Sequence, residues 1–168
     1  VITSTGIGGA EKILFQIIQG LDKEKYQIIV CSLKKKGAIA LKLEKQGIKV
    51  ISLNTFDKEN FWAILDSFRI IIKLIFICLK EKITIIHSHL FRANILSRIS
   101  GKLLGIPVIS SIHTMELEKK YQLYLEKISS ILAIKIIVVC QEIKNFIIKK
   151  AKINPDNLIT IYNGIDLQ

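Results

Sequence analysis

Residues 83–112 read ITIIHSHLFRANILSRISGKLLGIPVISSI. The apolar run over 83–87 predicts a strand, the spacing over 91–104 predicts a helix stopped by Gly105, and 107–112 predicts a second strand. Strand, helix and strand within about thirty residues make a β-α-β unit, whose crossover is right-handed. The same alternation extends in both directions. Toward the start, Val1-Ile2 is the stub of a first strand. A helix follows, with Ile13, Leu14, Ile17, Ile18 and Leu21 on one face. Strands are expected over 27–33 and 48–53, with helices over 38–46 and 61–81. Toward the end, helices are expected over 116–133 and 142–150 and strands over 136–140 and 158–162. The strands are nearly continuous runs of Ile and Val, the pattern of a parallel sheet covered on both faces. The expected fold is therefore α/β: a Rossmann-like, doubly wound parallel sheet of about seven strands in a single domain.

Composition narrows the class. Half of the 168 residues are hydrophobic, which excludes disorder and is enough for a substantial core. The 25 basic residues exceed the 14 acidic ones, for a net charge of +11. That surplus suggests an anionic partner such as nucleotide phosphate, nucleic acid or a membrane surface, or else a Lys-rich composition spread along the chain. Nucleic acid is not expected, because helix-turn-helix, RNA-recognition and aromatic-interleaved basic patterns are all missing. Cys31, Cys78 and Cys140 are widely spaced in apolar runs and read as reduced core thiols of a cytoplasmic protein. The chain starts without Met, so its native N-terminus is expected to be missing.

The segment over 61–79 contains three charges, Asp66, Arg69 and Lys73. Each charge near a bilayer centre costs about 2.5–3.5 kcal/mol and each large apolar residue returns about 0.3–0.6 kcal/mol, so a spanning helix is not favoured. The charges recur at i, i+3 and i+7 as one thin polar strip, which places the wide apolar face against a sheet. Monotopic membrane contact through Phe61, Trp62 and nearby lysines is the alternative.

In a doubly wound sheet, ligands bind beyond the carboxyl ends of the strands. Gly6-Ile7-Gly8-Gly9-Ala10-Glu11 follows the first strand and opens a helix, so its backbone N–H groups can approach a phosphate or carboxylate; it can also be only a turn. It is neither Gly-x-Gly-x-x-Gly nor a Walker loop. His87-Ser88-His89, His113-Thr114-Met115-Glu116 and Cys140-Gln141-Glu142 end later strands, and all three histidines of the chain fall at this edge. A metal held by His87, His89 and His113 would have Glu116 as the only nearby carboxylate to fix its ligands, and no metal is expected. One of His87 and His89 is expected to bond backbone, whereas His113 is the candidate for hydrogen bonding to a ligand. A nucleophile elbow is missing, which argues against hydrolase chemistry.

Five motifs then occur in order: Gly8-Gly9-Ala10-Glu11; Ile85-Ile86-His87-Ser88-His89 with Arg92 and Asn94; Gly105-Ile106-Pro107-Val108; Ile112-His113-Thr114; and Tyr162-Asn163-Gly164-Ile165-Asp166. Together they resemble the N-terminal, acceptor-side domain of glycosyltransferase family 4, with the GT-B fold, over essentially the whole chain. The resemblance implies a retaining enzyme that moves a sugar from a nucleotide-sugar donor to an acceptor hydroxyl in polysaccharide, lipopolysaccharide or glycolipid synthesis. It needs no metal and no cofactor beyond the donor as co-substrate. His113 would be catalytic. Gly8, Gly9, Glu11, His89, Arg92 and Asn94 would bind donor phosphate or acceptor, and Asn163 and Gly164 would form the hinge to a C-terminal donor domain. That domain is absent from this sequence, so the fragment is expected to fold but not to turn over donor alone. The partners implied are donor, acceptor, the missing domain and an anionic membrane surface, at the inner face of the cytoplasmic membrane. Two alternatives stay open: a non-catalytic Rossmann-like phospholigand-binding domain and a membrane-association module.

Overall fold

The computed structural model describes residues 1–55, 61–115 and 120–164, with backbone alone for 61–64. The chain divides into two units, Val1–Ile83 and Thr84–Gln168.

In the first unit, α1 (Gly9–Gly20) precedes β1 (Ile29–Ser32), α2 (Ala38–Lys45), β2 (Lys49–Ser52) and α3 (Phe61–Lys80). Leu14 and Ile18, four residues apart, are the buried face of α1, as the helical spacing predicts. β1 and β2 pair in parallel with Val30 opposite Val50. The expected first strand is reduced to a single parallel bridge between Ile2 and Ser32, flanked by bonds from Ile2 N to Cys31 O and from Leu33 N to Ile2 O, each 2.9 Å. Among the described residues six strands therefore form where about seven are expected. In α3, Ile70, Leu74 and Cys78 are buried, again four residues apart. No described helix is long and apolar enough to cross a membrane.

The second unit runs β3 (Ile86–His89), α4 (Phe91–Leu104), β4 (Val108–Ile112), α5 (Lys120–Ser130), β5 (Lys135–Val138), α6 (Gln141–Phe146) and β6 (Leu158–Thr160). Its four strands are parallel, in the order β3-β4-β5-β6. Ile136, Val138, Ile143, Ile147 and Leu158 form the centre of an apolar core. α4 ends on Gly105 at φ 68°, the left-handed cap that glycine adopts without penalty. Gly101 lets α4 approach the sheet: a Cβ there would collide with Val108 Cγ2 and lie 2.8 Å from Ile106 O.

Two further elements differ from expectation. β3 starts at Ile86 rather than at 83, because residues 81–85 are used in leaving α3. Lys82 takes a left-handed φ of 51°, and Ile83 N bonds Cys78 O at 2.9 Å. The helix expected over 142–150 changes pitch, with a π-helical turn at Ile147–Ala151 that buries both end residues. Cys31 and Cys78 are buried, Cys140 is half-buried, and all three are free thiols.

Candidate functional site

The predicted site residues fall into two groups, one in each unit. In the first, Thr5 is fully buried and anchors the turn: its Oγ1 accepts from Gly37 N at 2.9 Å and its carbonyl from Ile39 N at 3.0 Å. The chain leaves this fixed point through an exposed Ile7 to Gly8, the N-cap of α1. No side chain caps that end. Glu11 lies in the first helical turn, where its negative charge is favoured by the dipole, and is buried. Its carboxylate accepts the Ser4 hydroxyl, and a Cβ on Gly8 would overlap Glu11 Oε2. The turn thus presents amides together with an internal carboxylate. This is a mixed surface suited to hydroxyls as well as to anions.

The second group gathers at the carboxyl ends of β3 and β4. His87 Nε2 lies 2.8 Å from Ser111 Oγ, and His89 Nδ1 lies 3.0 Å from His113 Nε2. The ring centroids of His87 and His89 are 4.3 Å apart, and those of His89 and His113 are 5.3 Å apart at an interplanar angle of 27°. The three histidines are therefore brought together. Both of these contacts are between side chains. Burial pushes the His87 pKa down to about 4, with the nearby His113 ring adding to the effect. Burial, followed by its neighbours His87 and His113, also pushes His89 down, so both rings are neutral at pH 7. Among the described residues no group of three His, Cys, Asp or Glu side chains is placed to hold a metal.

A cleft runs beside these rings, lined by Leu90, Phe91, Asn94, Ile112, His113, Thr114 and Glu126. Asn94, in the first turn of α4, is 1% exposed; its Nδ2 donates to Ser111 O at 3.0 Å, and its Oδ1 has no hydrogen-bond partner. His89 Nε2 is likewise buried without a partner. Leu90, between β3 and α4, sits at φ 72° and ψ 152°, a region that costs a non-glycine residue about 1–3 kcal/mol. Arg92 is half-buried at the start of α4. Asn163 and Gly164 are exposed beyond β6, and a Cβ on Gly164 would meet nothing within 4 Å. Glu116, Ile165 and Asp166, together with the side chains of Phe61 and Trp62, lie outside the described residues.

Behind the cleft lies a polar layer that the sequence reading missed. Arg98 is fully buried: Nε donates to Ser110 Oγ at 3.0 Å, Nη1 donates to Ser129 Oγ at 2.9 Å, and Nη2 lies 2.7 Å from Glu126 Oε1. Ser110 Oγ in turn meets Ser88 Oγ at 3.0 Å, which ties α4, α5, β3 and β4 into one network. The sequence signal was the spacing of Ala93, Asn94, Ser97, Arg98 and Gly101, a small and polar helix face without the usual apolar stripe.

The sequence profile of glycosyltransferase family 4 matches residues 7–168. The chain belongs to glycosyltransferase family 4. This family 4 chain is 25% identical over 171 residues to the Escherichia coli UDP-Gal:alpha-D-GlcNAc-diphosphoundecaprenol alpha-1,3-galactosyltransferase, covering 96% of the chain and 43% of that relative. Among solved structures, the Anabaena Alr3699/HepE complex with UDP superposes with a TM-score of 0.74 at 20% identity, covering 98% of this chain and 43% of that one. A glycosyltransferase from Rickettsia africae gives a TM-score of 0.73 at 18% identity, covering 99% and 42%. These structural likenesses establish the fold, the GT-B N-terminal domain. The family 4 chain spans less than half the length of the proteins it matches.

Proposed function

We propose that the chain is the acceptor-side half of a retaining glycosyltransferase that moves a sugar from a UDP-sugar to a hydroxyl of a lipid-linked glycan acceptor. The observation that carries this reading is the Asn94 carbonyl oxygen, buried in the cleft beside His113 and lacking a hydrogen-bond partner. A buried acceptor of this kind costs about 1–3 kcal/mol while unsatisfied, and a bound hydroxyl removes that cost. In this reading His113, catalytic and oriented by neutral His89, contacts the hydroxyl or the transferring sugar at the reacting centre. The amides at Gly8 and Gly9 approach the donor phosphates, and Glu11 accepts from a hydroxyl. Arg92 supplies charge toward an acceptor diphosphate of the kind named for the E. coli relative. UDP as the nucleotide is supported by the ligand named for the Anabaena protein. The donor is a co-substrate, with no resident metal or cofactor in the scheme. Asn163 and Gly164 serve as the hinge into a donor domain of the longer protein, which acts in the cytoplasm at the inner face of the membrane.

The test is transfer by the full-length protein against a panel of nucleotide sugars. His113→Ala and Asn94→Ala should each lower kcat/KM by about a hundredfold or more, about 2.7 kcal/mol of transition-state stabilisation, while the far-ultraviolet spectrum stays unchanged. Tight nucleotide-sugar binding without transfer to any acceptor would instead favour a non-catalytic binding domain.

A further inference from the structure

Two buried side chains that can accept hydrogen bonds line the cleft of the second unit, Asn94 from α4 and Glu126 from α5. Asn94 and Arg98 are one turn apart on the same face of α4, so the arginine that meets Glu126 holds that carboxylate on the Asn94 side of the helix. Arg98 Nη2 lies 2.7 Å from Glu126 Oε1, yet neither atom completes a hydrogen bond. The pair therefore offsets charge while the lone pairs of Oε1 stay unused. Asn94 Oδ1 is in the same condition, because Nδ2 of that amide is committed to Ser111 O. Buried acceptors left unfilled are costly, and a ligand that donates to both removes two penalties at once. The cleft holds about 40 Å³. A water-sized group needs about 10–15 Å³, so two or three such groups enter and a whole sugar ring does not. Leu90, Phe91 and Ile112 supply apolar walls beside them.

We infer that the cleft is a subsite for two adjacent hydroxyls of a neutral sugar ring, with Glu126 as a specificity-determining residue. One hydroxyl donates to Asn94 Oδ1 and its neighbour to the Glu126 carboxylate. Hydroxyls on neighbouring carbons are the closest donor pair a sugar offers, as a cleft of this size requires. The charges select the class. Two acceptors repel an anion, so the phosphates of donor and acceptor lie outside the cleft. Arg98 offsets the carboxylate, so an ammonium gains no net attraction there. A ring lacking either hydroxyl leaves one acceptor buried and unfilled, and is rejected on that account. Glu126 belongs to none of the five motifs that carry the family resemblance. The choice of a sugar over another polyol rests on the glycosyltransferase reading above, but occupancy is measured apart from transfer.

The experiment is saturation-transfer NMR of the full-length protein with the methyl glycosides of glucose, galactose, mannose and N-acetylglucosamine. Methyl glucuronide and methyl glucosaminide are the anionic and cationic probes. At least one neutral ring should bind, and its monodeoxy analogues at the two engaged positions should each lose about tenfold in affinity. Neither charged ring should bind more tightly than the neutral ones. R98M/E126L removes the carboxylate and keeps the volume, so affinity for the neutral ring should fall about tenfold while the far-ultraviolet spectrum stays unchanged. R98Q/E126Q keeps an acceptor oxygen in the cleft and should bind more tightly than R98M/E126L, whereas a purely structural pair would make the two variants alike. The deoxy series needs no altered chain, so it decides the matter even if a variant fails to fold. Sugar binding of this kind without transfer to any acceptor would strike the catalytic reading alone. Deoxy analogues that bind like the intact ring, tighter binding of a charged ring, or no binding of any neutral ring would overturn the subsite.

Discussion

Glu126→Ala tests whether the second unit is held by its buried charges. Arg98 and Glu126 are 0% and 1% exposed, with 2.7 Å between Nη2 and Oε1. Removing the carboxylate leaves a guanidinium that cannot lose its proton, buried with two serine hydroxyls as its remaining partners. Breaking a buried pair from one side costs about 3–5 kcal/mol, against about 5–15 kcal/mol for the stability of a whole domain. The readout is native-state hydrogen exchange in the full-length protein, followed at the β4 and α5 amides. At 1.4 kcal/mol per tenfold, protection there should fall by about two to three and a half orders of magnitude. The pair R98M/E126L, which removes both charges and keeps the volume, should recover most of that protection, because replacing a buried pair with apolar side chains is often neutral or better. A loss under about 1 kcal/mol in Glu126→Ala, or a double variant no better than the single one, would refute the reasoning.

Other outcomes follow from the same geometry. His87 titrates at about 4 in the folded chain against about 6.5 when unfolded, and His89 is shifted in the same direction. The unfolded state therefore binds more protons below pH 6.5, so this stability is full above that value and declines as pH falls toward 4. The slope is up to about 1.4 kcal/mol per pH unit for each ring, and hydrogen exchange at pH 7 and pH 5 in the parent and H87Q/H89Q proteins measures it. Leu90→Gly should relieve about 1–3 kcal/mol of backbone strain, less about 0.5–1 kcal/mol for the freer unfolded chain. Exchange at the β3 amides should slow or hold steady, and clear acceleration would show that the Leu90 side chain outweighs its backbone. Gly8→Ala must displace the Glu11 carboxylate, so it should weaken transfer by the full-length protein without abolishing its fold. Parent-level activity would remove that turn from the site.

Helices and strands were legible wherever spacing alone decides them. α4 occupies the expected range, because Phe91 starts it and Gly105 stops it, and both signals are local. The start of β3 was not legible. An apolar run does not reveal that 81–85 will be used to reverse out of a helix, and polar His87-Ser88-His89 becomes strand only because β4 supplies cross-strand partners. The histidine edge could be read because polar residues interrupt apolar strands at their carboxyl ends. Arg98 and Glu126 could not, since a buried charge looks like a surface one until its partner, 28 positions away, is known. α3 shows a related limit. Periodicity sets one wide apolar face of the helix against a sheet, but the folded chain buries only Ile70, Leu74 and Cys78 and leaves Phe68, Ile72 and Phe76 uncovered.

Gly101 lies in α4 two turns beyond Asn94, with no contact to the cleft among the residues that line it. Its missing Cβ sets how near the helix axis rests to β4, and the helix is stiff enough to act as a lever. A single methyl group there would lift that end against Val108 and tilt the other, drawing the Asn94 amide from its bond to Ser111 O. Reacting groups tolerate little misplacement, about 1 Å being enough for a hundredfold loss of rate. The alignment of the cleft is thus governed in part from outside it, by a fulcrum that bears no functional group. Under the proposed function, variants that change the cleft side chains will keep their geometry only while that contact stays bare.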